Sequence, residues 1–122
     1  MLAAYLYLNA ALYALFAAWC TVQWQATARN LGYVALNHSG SSEYLVIYGG
    51  LQWGLAAGFY FFAQEPALRA AGLRFALAIY IPIVAYRLWT VWSFRPVEKM
   101  TLIVAGLEVV LLLTALVLWW RR

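Results

Sequence analysis

TLIVAGLEVVLLLTALVLWW, running from Thr101 to Trp120, contains one ionisable residue, Glu108. A helix of 20 such residues is about 30 Å long, which matches the hydrocarbon core of a bilayer. Three more stretches read the same way, at about Leu2 to Gln23, Glu43 to Phe62 and Leu73 to Phe94. Together the four consume most of the 122 residues, so one membrane domain accounts for the chain. Composition agrees, with 67% hydrophobic and 10% charged residues against roughly 45 to 50% and 25% in soluble proteins. The fold class expected is all-α, an integral membrane four-helix bundle of up-down-up-down topology.

The connections set that topology. Gln64-Glu65-Pro66-Ala67 and Arg95-Pro96-Val97-Glu98 are short, so the helices they join are antiparallel neighbours. The first connection, Ala26 to Ser42, is longer, and its Gly32 to Leu36 portion suits the membrane interface. A serine cap at Ser41 or Ser42, with Glu43 in the first turn, is the expected start of the second helix. Four crossings place both termini on one side with Arg69, Arg74, Arg121 and Arg122, opposite Arg29, Arg95 and Lys99. The positive-inside rule then puts both termini in the cytoplasm. Trp119 and Trp120 suit an aromatic belt on the terminal side, Trp24 and Trp92 one on the other. No basic residue precedes the first apolar stretch, which is read as a permanent helix and not a signal peptide.

The basic residues behind the net charge of +4 sit at helix ends, where they contact lipid headgroups, so nucleic acid is not an expected partner. Cys20 is the only cysteine and His38 the only histidine, which leaves no metal ligand set and no disulfide. Neither a phosphate-binding glycine loop nor a nucleophile triad is present, so no catalytic residue, metal or cofactor is assigned and an enzyme is unsupported.

Two ionisable residues fall inside the apolar stretches. Arg87 lies seven residues before Phe94, and Glu108 nine after Lys99. Both therefore sit roughly 10 to 14 Å deep from the same membrane face, and a salt bridge between antiparallel neighbours follows. Gln52 lies at a similar depth in the second helix with Tyr48 one turn above it. Asn9 is about one turn deeper in the first, and Glu43 and His38 stand near the mouth. These positions suggest one polar intramembrane pocket lined by Tyr48, Gln52, Arg87 and Glu108, with Asn9 and Glu43 adjoining, that binds a small or lipid-like ligand. The competing reading is structural: the ion pair fixes helix register, and Asn9 and Gln52 glue helices by hydrogen bonds. Gly50, Gly54 and Gly58 recur every four residues, a stripe expected to pack inside the bundle in preference to a homodimer contact. Pro82 is expected to kink the third helix.

Glu43-Tyr44-Leu45-Val46-Ile47-Tyr48-Gly49-Gly50-Leu51-Gln52, with Arg87 and Glu108, resembles a bacterial family of small four-helix membrane proteins known as a domain of unknown function, itself similar to the DoxX-like group. Leu45 departs from the arginine that family would place there. The resemblance implies a bacterial inner-membrane protein and, through the DoxX-like group, an accessory role beside redox or respiratory membrane partners. Three functions stay open: a binding protein for a small or lipid-like ligand amid membrane lipids, a scaffold or accessory subunit with a membrane protein partner, and a dimeric proton-coupled transporter of a small solute.

Overall fold

A computed structural model describes all residues from Met1 to Arg122. It is an all-α protein without strands, built as four spans long and apolar enough to cross a membrane. Hydrocarbon offers no hydrogen-bond partner to a backbone, so each span satisfies its own peptide groups as a helix.

Helix α1 covers Leu2–Val22 and a short continuation, α2, covers Trp24–Asn30. Between them Gln23 leaves helical geometry at φ −115 and ψ 46, while its N–H still reaches the Trp19 carbonyl. The chain reverses after α2 at Gly32, whose φ of +88 only glycine adopts without cost. There Gly32 N–H donates to the Arg29 carbonyl at 2.9 Å and Tyr33 N–H to the Ala28 carbonyl at 2.8 Å. These are the two bonds of a Schellman cap.

The second span runs from His38 to Gln64. It begins five residues before Glu43, and its cap is Asn37, whose Oδ1 accepts from Gly40 N–H at 3.0 Å. Neither Ser41 nor Ser42 caps it. Asparagine satisfies an N-terminal amide as well as serine does, and the polar run Ser39 to Ser42 needs no lipid contact because it forms the first turns. Helix α3 (His38–Leu45) passes through a widened π turn at Val46–Leu51 into α4 (Gln52–Gln64).

A single 3₁₀ turn, Pro66–Leu68, leads into α5 (Arg69–Phe94), and α6 covers Lys99–Trp120. The third span thus starts ahead of Leu73, because Arg69 is drawn into the helix by a 2.9 Å bond from its Nε to the Ala63 carbonyl at the end of α4. The fourth starts at Lys99 instead of Thr101, and the first stops at Val22, one residue short of Gln23. Helix α5 continues through Pro82.

The dense core lies toward the end that carries the termini. Tyr5, Leu6, Ala10, Phe59, Ala63, Leu73, Ala76, Tyr80, Leu111 and Ala115 form one buried cluster drawn from α1, α4, α5 and α6. Asn9 is fully buried inside it; its amide donates to the Tyr5 carbonyl at 2.8 Å and its Oδ1 accepts from the Tyr80 hydroxyl. Tyr5 in turn donates to the Leu111 carbonyl at 2.9 Å, tying α1 to α6. The most extensive helix pair is α1 with α4.

Small residues do allow close approach, but not the expected ones. Ala10, Ala17, Ala56 and Ala63 are the buried small residues of α1 and α4, whereas a Cβ at Gly50, Gly54 or Gly58 would meet nothing within 4 Å. That stripe therefore faces away from the neighbouring helices, which corrects the expectation that it packs within the bundle. Gly49, inside the π turn, does pack: a Cβ there would lie 3.0 Å from the Thr21 hydroxyl of α1. The tightest glycine is Gly72, where a Cβ would lie 2.7 Å from Phe62 Cβ and 3.1 Å from Leu6 Cδ1.

Gly72→Ala should accordingly destabilise the protein by about 1 to 3 kcal/mol through overpacking, seen as a lower thermal midpoint in detergent micelles. Gly54→Ala should leave that midpoint unchanged within about 0.5 kcal/mol. Equal effects at both sites would contradict this packing.

Candidate functional site

At the end of the bundle away from the core, α2, the segment 33–37, α3 and the start of the π turn line a cavity of about 460 Å³ that is open on one side. The size suits a small ligand. Its walls include Trp24, Tyr33, Tyr44, Ile47 and Tyr48, and Glu43 is the only charged residue among them. Tyr44 and Tyr48 are four residues apart on one helix face and stack with centroids 4.7 Å apart and planes 21° apart. Tyr33 stands against both, edge-on to Tyr44 at 6.0 Å and tilted to Tyr48 at 5.8 Å. Phe16 of α1 supports Tyr48 from behind.

The rings are fixed by their hydroxyls. Tyr44 donates to Thr27 Oγ1 at 2.9 Å, and Thr27, itself buried, donates to the Gln23 carbonyl at 2.9 Å where α1 breaks. The hydroxyls of Tyr33 and Tyr48 share a hydrogen bond of 3.1 Å. Position of the cavity thus depends on three local features: the break at Gln23, the glycine reversal at Gly32 and the asparagine cap at Asn37. Glu43 takes no part in an ion pair and makes no side-chain hydrogen bond, leaving its carboxylate free at the rim.

Arg87 and Glu108 join α5 to α6. Arg87 Nε donates to Glu108 Oε2 and Nη2 to Oε1, both at 2.8 Å, a bidentate pair. Their side chains keep 30% and 16% of their surface accessible, so the pair is half-buried. Along α5 and α6 the pair lies past the core residues Tyr80 and Leu111, on the side of the bundle's cavity end. The ion pair therefore forms a layer between the cavity's inner wall and the hydrogen-bonded core around Asn9.

The structure does not gather the expected pocket residues into one site. Tyr48 and Glu43 line the cavity, while Arg87 and Glu108 bond to each other outside its lining. Gln52 turns its amide back to the Ile47 carbonyl of its own span at 3.3 Å, a bond made possible by the widened π turn. Asn9 is committed to Tyr5 and Tyr80 in the core. Equal depth in the membrane did not translate into proximity, because these side chains leave their helices in different directions.

Sequence reasoning overlooked Trp24, Tyr33, Tyr44 and Thr27. One signal was available: Tyr44 and Tyr48 are spaced to share a helix face. The reach of Tyr33 to them depends on how the chain folds back at Gly32. No protein-family model, curated protein or solved structure matches the chain. Fold and site together define the class, an integral membrane four-helix bundle with an aromatic cavity at one end.

Because the two charges satisfy each other, removing one strands the other. Arg87→Met and Glu108→Leu should each lower the thermal midpoint in micelles, and the double variant should recover part of the loss. A coupling of roughly 0.5 to 3 kcal/mol is expected. Strictly additive single effects would show that the pair does not act as a unit.

Proposed function

We propose that the protein is a membrane-embedded binding protein for a small amphipathic molecule, held in the cavity between α2, residues 33–37 and α3. The cavity itself carries this reading: its walls are aromatic and aliphatic, its one charge is at the rim, and its tyrosine hydroxyls already have partners. A ligand with an apolar body and a polar end fits such a site, because the tyrosine hydroxyls stay paired when it binds. Arg87 and Glu108 belong to the support of the inner wall in this reading and do not touch the ligand. The membrane is a bacterial inner membrane, as the family resemblance implies.

Charge supports an orientation with both termini in the cytoplasm, since Arg69, Arg74, Arg121 and Arg122 lie at that end. The cavity then opens toward the outer leaflet. A fluorescent protein fused after Arg122 should fluoresce and alkaline phosphatase fused there should stay inactive; the reverse pattern would invert the assignment.

Occupancy is testable with an introduced thiol. Ala35 lines the cavity and is exposed, while Cys20 is fully buried and does not compete for a thiol reagent. In Ala35→Cys protein, 1-hexanol should slow maleimide labelling severalfold and leave Ser93→Cys, an exposed position near the end of α5, unaffected. Equal slowing at both positions would reflect partitioning into the micelle and overturn the proposal.

A further inference from the structure

Within the binding function proposed above, on which this step rests, we propose that the polar end of the ligand is a quaternary or protonated ammonium group, recognised by Glu43 and the faces of Trp24, Tyr33, Tyr44 and Tyr48. Four aromatic side chains line one cavity, three of them in mutual contact. Aromatic faces carry negative potential and attract cations, most effectively where water is partly excluded. Glu43 adds the only formal charge in the lining, and it has no cationic partner within the protein.

Nearby positive charge does not offset this. Arg87 is held in a bidentate bond to Glu108, which makes that pair neutral as a unit. Arg29, Arg95 and Lys99 share this end of the bundle, yet none lines the cavity. Arg95 is directed elsewhere, its guanidinium 3.9 Å from the Trp92 ring. An anionic ligand would therefore meet a carboxylate and aromatic rings, with no cationic group in the lining to receive it. The hydroxyls of Tyr33, Tyr44 and Tyr48 are tied to one another or to Thr27, which fixes the rings; Tyr44 and Tyr48 cover one face of each other, and Tyr33, half exposed, presents the most ring surface. A trimethylammonium group is bulky, weakly hydrated and unable to donate hydrogen bonds, so it suits walls of this kind. It occurs both in free choline-like solutes and in phosphatidylcholine headgroups.

The deciding comparison uses choline and 3,3-dimethylbutanol, which have the same shape and differ by the positive nitrogen. In Ala35→Cys protein in a maltoside detergent, choline should slow maleimide labelling at about tenfold lower concentration than the neutral isostere, a ratio in the range of one cation–π and charge interaction. Glu43→Gln, a conservative change at an exposed residue, should shrink that ratio by weakening protection by choline severalfold more than protection by 3,3-dimethylbutanol. Nanodiscs identify the source: slower labelling in phosphatidylcholine than in phosphatidylglycerol assigns a lipid headgroup, and protection by added choline in phosphatidylglycerol discs assigns a free solute. Equal protection by choline and its isostere would overturn the cation assignment and leave the amphiphile site standing. Protection by 1-hexanol alone would do the same, and protection by none of the three would overturn both.

Discussion

Lipid is as apolar as leucine, so two helices in a bilayer gain little by burying leucines against each other, and what holds them is how closely their surfaces fit. In this chain the most extensive fit is between α1 and α4, which bury the small residues Ala10 and Ala17 on one helix and Ala56 and Ala63 on the other. Everything else is arranged around that pair. Helix α5 closes onto it where Gly72 admits Phe62 and Leu6, and Arg69 fastens the corner by reaching the last turn of α4. Helix α6 is the least enclosed span and is held mainly by α5, with the Tyr5 hydroxyl and the Arg87–Glu108 pair as its polar ties.

This arrangement divides the molecule along the membrane normal. Toward the termini the four helices share one core, sealed by the Tyr5, Asn9 and Tyr80 hydrogen bonds, and every buried side-chain polar atom has a partner. Toward the other end the second span changes its pitch through the π turn, and the chain before it folds back over α3. A π turn inserts a residue without ending the helix, and such turns occur frequently at functional sites. Here it carries Tyr48, stacked on Tyr44 of α3, and leads into the tightly packed α4, so one span serves both a rigid core and a cavity wall.

The ion pair occupies the boundary between the two halves. A single charge at that depth would be costly, but a bidentate pair satisfies both groups and retains some access to polar surroundings. Its net neutrality matters for the aromatic layer next to it. An unpaired Arg87 would impose a positive field on Tyr33 and Tyr48, whereas a paired one leaves Glu43 as the formal charge that the cavity presents.

Sequence alone determined the architecture, because the requirement that a backbone in hydrocarbon satisfy itself leaves helices as the only reading of four long apolar stretches. It also determined the Arg87–Glu108 contact, since short connections force antiparallel neighbours and residue counts then fix depth. Lateral position was another matter. Depth is a one-dimensional quantity readable from spacing, but the direction of a side chain around its helix depends on pitch and packing. The π turn at Val46–Leu51 lets the Gln52 amide return to the Ile47 carbonyl, and Gly54 and Gly58 face open space. Asn9 was legible as a buried polar group, yet only the packed core showed that Tyr80 and Tyr5 already occupy it. The cavity was decided by tertiary structure alone, for Tyr33 meets Tyr44 and Tyr48 only once Gly32 has reversed the chain, and no local periodicity encodes that meeting.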